Sequence, residues 1–203
     1  MSALLIAPQA SDLASYLVNR FYPLGKLYVV SSEPMISSSV ASYARWVRLP
    51  RYNSLGINPE ELSASTNAAL EKIVKKEHDL GEKITRVFLF PNLSYNNNFL
   101  TVTFDSLLES VAENMVIPVS ILSGLFEYGT CSPFVKITIF LEKSAPFESE
   151  ICAFALRAAL ERFKKVDVTG YSSAAQIELV SVGKEIDKDA LDSYCELTLA
   201  KEI

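Results

Sequence analysis

Ala3-Leu4-Leu5-Ile6-Ala7, then Pro8-Gln9-Ala10-Ser11-Asp12, then the helical stretch Leu13 to Phe21, then Leu27-Tyr28-Val29-Val30-Ser31: this opening decides the fold. It reads as strand, loop, helix, strand, the layout with which a dinucleotide-binding α/β domain begins. The connecting loop has no glycine. A pyrophosphate bound at a helix N-terminus needs close backbone approach, which glycines permit and side chains obstruct. The layout therefore argues for the architecture and against its most obvious ligand.

Outward from that segment, apolar runs and helical stretches alternate along the chain. Strands are expected at Leu4 to Ala7, Leu27 to Ser31, Trp46 to Leu49, Arg86 to Phe90, Val135 to Leu141 and Ile177 to Val182. Most are continuous apolar runs, as suits parallel strands buried on both faces. Asn58-Pro59-Glu60-Glu61 starts a helix with a capping residue, a proline at the first helical position and two acids in the first turn. That helix should carry Leu62, Ala69, Leu70 and Ile73 to a core and end near Gly81. A second runs from Thr103 to Tyr128 with Pro118 inside it, where a kink or break is expected. A third covers Phe147 to Lys165, with Ile151, Phe154, Ala155, Ala158, Ala159 and Phe163 as its apolar stripe, and a last covers Lys188 to Ala200. The fold class that follows is α/β: a doubly wound, mostly parallel sheet of about six strands with helices on both faces, three-layered and Rossmann-like. No repeat or linker divides the chain, so residues 1–203 are expected to form a single domain.

Composition narrows the function. At 49% hydrophobic and 21% charged residues the chain is an ordinary globular one, and its net charge of −5 speaks against a broadly basic nucleic-acid-binding face. Its 7 glycines are few for a protein that cradles phosphates. Cys131, Cys152 and Cys195 are widely spaced, form no CxxC pair or zinc spacing, and read as free thiols in a reducing compartment. No basic segment precedes the N-terminal apolar run, and no stretch is long enough to span a bilayer. Asn92-Leu93-Ser94 then matches a glycosylation acceptor by chance, and an intracellular, cytoplasmic protein is expected, with no nucleic-acid or membrane partner. The single histidine, His78, sits among Lys75, Lys76, Glu77 and Asp79 and reads as solvated. Ser11-Asp12 reads as a helix N-cap, and Tyr171-Ser172-Ser173 beside Gly170 as a turn.

The second half is more specific. Val87-Phe88-Leu89-Phe90-Pro91-Asn92 is followed by Phe104 to Met115, then the strand Val135 to Phe140, then Ile151 to Leu160. This succession resembles the short-chain dehydrogenase/reductase family over nearly the whole chain in element order. The resemblance implies a glycine loop at Ala7 to Asp12, where there is none. It implies an Asn-Asn-Ala-Gly segment at Phe90 to Leu93, where one asparagine remains, and a catalytic serine near Leu141 to Ser144. It implies a Tyr-x-x-x-Lys pair at Ala153 and Arg157, and a helix asparagine at Asn114. The family's proline-glycine after the sixth strand is reduced to Gly183. In the family the tyrosine is the general acid/base, its pKa lowered by the lysine and cofactor. Alanine has no proton to give, and Arg157 beside it has nothing to activate.

The expectation is therefore a catalytically inactive short-chain dehydrogenase/reductase-like protein, without cofactor, metal or catalytic residues, acting as a binding, scaffolding or assembly subunit. Gln9, Asn92, Asn114 and Ser144 are the residues of a possible remnant crevice. A divergent NAD(P)-dependent oxidoreductase, or a small-ligand-binding protein with a non-standard site, is the alternative. So is a structural half of a larger reductase. The resemblance also implies a protein partner, a homodimer or a related reductase-like subunit, through the Thr103–Tyr128 and Phe147–Lys165 helices. The competing use of those apolar faces is simply to cover the sheet.

Overall fold

A computed structural model describes residues 2–8, 11–21, 25–34, 44–49, 58–77, 83–91, 108, 111–127, 129–142, 147–165 and 175–182. Six parallel strands form one sheet: β1 (Ser2–Ala7), β2 (Lys26–Ser31), β3 (Ala44–Arg48), β4 (Ile84–Leu89), β5 (Cys131–Glu142) and β6 (Gln176–Val182). Their order is β3-β2-β1-β4-β5-β6. Four α-helices connect them: α1 (Asp12–Phe21), α2 (Pro59–Glu77), α3 (Ile117–Glu127) and α4 (Phe147–Lys165). The chain winds outward from β1 to β3, returns to the centre with β4, and winds outward the other way. That reversal between β1 and β4 creates the crevice in which such sheets hold ligands.

The expected doubly wound fold is what forms, with strand ends within a few residues of those anticipated. The hydrophobic pattern explains why. In β1, Leu4 and Ile6 pack into one core with residues of α2, α3 and α4, while Ala3, Leu5 and Ala7 pack into a second core under α1. Burial on both faces removes the polar/apolar alternation of a half-exposed strand, leaving a continuous apolar run. The second core carries a row of aromatic rings: Phe21 against Phe88 at 4.8 Å between centroids, and Phe90 stacked on Phe140 at 5.0 Å.

Local chemistry sets the helix ends. Ser11 caps α1, its Oγ accepting the Ala14 N–H at 3.1 Å, as the N-cap expectation required. Gly129, at φ 65°, closes α3: its N–H donates to the Phe126 carbonyl and the Thr130 N–H to that of Leu125, both at 3.0 Å. These are the paired bonds of a Schellman ending, which favours glycine at the left-handed position.

Pro118 neither breaks nor ends its helix. One π-helical turn, Ala112–Val116, precedes α3, and the Ile117 N–H reaches back five residues to the Ala112 carbonyl. Proline supplies no N–H to the carbonyl four residues earlier, and a widened turn accommodates that loss within a continuous helix.

The Phe147–Lys165 helix forms with the ends expected, but its expected apolar stripe is not the face that covers the sheet. Cys152, Ala153, Leu156 and Leu160 are buried, whereas Ile151 is 44% and Phe154 53% exposed and Ala158 lies on the outside. Both sides of this helix carry apolar residues, so periodicity could not tell core from surface. In α2, Leu70 is buried and Ala69 packs against the core, and the helix ends at Glu77. The positions anticipated for Leu62 and Ile73 side chains, Gly81 and the Lys188–Ala200 helix lie outside the described residues.

Candidate functional site

The C-terminal ends of β1, β2 and β4 border the crevice. At β1, Pro8 follows the last strand residue and is buried. Its carbonyl accepts the Ser32 N–H at 3.2 Å and the Ser32 hydroxyl at 2.5 Å. At β2, the Ser31 hydroxyl accepts the Trp46 Nε1–H at 2.9 Å and donates to the Glu33 carbonyl at 2.5 Å. The Leu49 N–H donates to the Ser31 carbonyl at 2.8 Å, carrying the tie on to β3. At β4, the Phe90 N–H continues the sheet onto the Ile6 carbonyl at 3.0 Å, and the Phe90 ring turns into the aromatic row.

None of this suits a pyrophosphate. Pro8 has no N–H to donate, the Ala14 amide at the head of α1 is already bonded to Ser11, and Asp12 places a carboxylate in the first helical turn. The polar groups of Ser31, Ser32 and Pro8 were not anticipated as a unit. The only sequence signal was a Ser-Ser-Glu segment directly after an apolar run, which reads equally as a turn.

Of the four remnant-crevice residues, Gln9, Asn92 and Ser144 lie outside the described residues. Asn114 is described: it sits in the π-turn, 1% exposed, and its Oδ1 accepts no hydrogen bond among the described residues. Ala153, at the tyrosine position of the resemblance, is fully buried against the sheet, and Arg157, one helical turn further on, is exposed.

Elsewhere, Cys131 and Cys152 are buried and neither forms a disulfide, while Cys195 lies outside the described residues. Burial pushes the Cys131 thiol from its ordinary value near 9 up to about 12, with Lys83 opposing the rise. No three metal-ligating side chains meet among the described residues, and no described helix is long and apolar enough to cross a membrane. A groove of about 460 Å³ runs between α2 and α3, floored by Asn67 and Gly124 and walled by Ala64, Ala68, Ser120 and Ser123.

No protein-family model and no curated protein matches this chain in sequence. Solved structures match it in shape. A Burkholderia multivorans protein described as a short-chain alcohol dehydrogenase superposes with a TM-score of 0.68 at 13% identity, over 98% of this chain and 90% of its own. The bulky-bulky ketone specific alcohol dehydrogenase of Comamonas testosteroni gives 0.65 at 10% identity, over 98% and 82%. A short chain dehydrogenase from Leptospira borgpetersenii, solved with bound NAD+, gives 0.61 at 11% identity, over 90% and 70%. The chain thus has the short-chain dehydrogenase/reductase fold. At these identities the likeness speaks for the fold and not for the chemistry.

Proposed function

We propose that this protein is a catalytically inactive member of the fold that works as a binding or assembly subunit, docking a second protein chain through α4. The observation that carries the proposal is the division of that helix. Its sheet face holds Ala153, fully buried, where the resemblance calls for a proton-donating tyrosine, and its outer face holds Ile151 and Phe154, both large and exposed. A general acid/base must reach the reacting group, and an alanine methyl in the core has neither proton nor access. Exposed aromatic and aliphatic side chains beside a small residue, here Ala158, are the material of a protein interface.

A second copy of the chain is the partner we favour, since one helix face then serves both sides of a two-fold contact. Sedimentation of the purified protein over a concentration series tests it. A dimer that Phe154→Glu converts to monomer, with unchanged far-UV circular dichroism, is the expected result. A wild-type monomer throughout the series would remove the self-docking proposal. Recovery of a related dehydrogenase in stable complex would replace the second copy by that subunit.

The alternative is a divergent NAD(P)-dependent oxidoreductase. It is favoured by the names of the neighbours, several of them dehydrogenases. Carbonyl-dependent oxidation of NADH or NADPH by the purified protein would decide for it.

A further inference from the structure

We infer that the crevice edge at the C-terminal ends of β1 and β2 is closed by the protein's own hydrogen bonds and takes neither a dinucleotide nor a free pyrophosphate. In a sheet of this topology that edge ordinarily offers a ligand unpaired backbone amides and a polar side chain at the end of the second strand. Here the Ala14 amide and the Ser31 and Ser32 hydroxyls already have partners within the chain. The Pro8 carbonyl accepts two bonds from Ser32, one from the backbone and one from the hydroxyl, which uses both lone pairs. The Ser31 hydroxyl is donor to one neighbour and acceptor from Trp46. The head of α1 is served by Ser11 and carries the carboxylate of Asp12, so the charge that the helix dipole favours is already there.

A phosphate entering this edge would have to displace the Pro8 carbonyl from Ser32 or the Ser11 hydroxyl from Ala14, and approach Asp12 against like charge. The bonds also have a positive role. They join the C-terminal end of β1 to that of β2, on one side of the crevice, and Trp46 extends the tie to β3. These bonds need no ligand, and the protein's stability should not depend on one.

The test is titration of the wild-type protein with NAD+, NADP+, ADP and inorganic pyrophosphate. It is read by thermal unfolding and by the fluorescence of Trp46, the chain's only tryptophan, which is bonded into the tie. The pyrophosphate arm reads the helix end alone, and the nucleotide arms read the whole edge. Expected are a flat unfolding temperature and no saturable change in fluorescence in any arm. A ligand bound a hundredfold above its Kd would raise the temperature by several degrees. Ser32→Ala is expected to lower the unfolding temperature by roughly 2–4 °C by removing one hydrogen bond.

A saturable rise in unfolding temperature with any of the four ligands overturns the closure. Ser32→Ala as stable as wild type overturns the tie. The ligand arms need no variant, so a poorly folding mutant does not decide the matter. A strictly monomeric protein would end the assembly role and leave this closure standing, whereas dinucleotide binding would do the reverse.

Discussion

Replacing Gly124 by alanine should destabilise this protein, although the same change in most helices stabilises. Gly124 lies within α3 where that helix meets α2, and a Cβ built on it falls 2.5 Å from Asn67 Nδ2 and 3.0 Å from its Cγ. Asn67 is held there by donating to the Ser120 carbonyl at 3.2 Å, and its Oδ1 is buried without a donor. The amide is the end of a short side chain, so it can turn away, but only by giving up that hydrogen bond. Losing the bond and leaving a part-buried N–H poorly satisfied costs about 2 kcal/mol. Alanine returns about 1 kcal/mol over glycine in a helix interior. The net is a loss of about 1 kcal/mol, or roughly 2–4 °C in a chain of this size.

The sign should reverse once Asn67 is cut back. In an Asn67→Ala background no amide meets the new methyl, and Gly124→Ala should stabilise by about 1 kcal/mol. The two effects differ by about 2 kcal/mol, a coupling that a double-mutant cycle resolves. Urea unfolding of the four proteins, followed by Trp46 fluorescence, supplies the measurement. Gly124→Ala stabilising the wild type, or acting equally in both backgrounds, would refute the reasoning.

Other expectations test the core and the charges. Leu156→Ala, at a fully buried position of α4, should cost about 2–5 kcal/mol by urea unfolding, since the lost contacts leave a cavity against the sheet. Lys136 and Glu178 pair at 2.8 Å, but the glutamate side chain is 44% exposed, so Glu178→Gln should change stability by no more than about 1 kcal/mol and less in high salt. The raised Cys131 pKa means the unfolded thiol ionises near 9 while the folded one holds its proton to about 12. That contribution to stability is constant below pH 9 and is lost as pH rises through the interval, and the folded protein's Cys131 should resist alkylation at neutral pH.

The sheet was legible because its physics is local to each strand. Apolar runs such as Leu27-Tyr28-Val29-Val30 can be hidden only by burial on both faces, and helices between successive strands force parallel pairing with right-handed crossovers. The N-cap at Ser11 and the close of α3 near Gly129 were legible for the same reason: each is satisfied within one turn of the chain. The outer face of α4 was not. Ile151 and Phe154 look like core residues by type, and only the position of α4 against the sheet assigns that role to Cys152, Ala153, Leu156 and Leu160.

What the sequence determined by itself was the doubly wound architecture and the residue types at two places in it: no glycine in the first loop, and alanine and arginine where the resemblance expects tyrosine and lysine. Such statements need only residue type and spacing, because a side chain that lacks a proton or blocks a backbone does so in any environment. What the tertiary structure decided was how the first crevice edge is filled and which face of α4 is left outside. The bond from Ser32 to Pro8 spans 24 residues, and that from Trp46 to Ser31 spans 15. Bonds of that kind depend on which strands lie side by side, and that pairing exists only once the chain has folded.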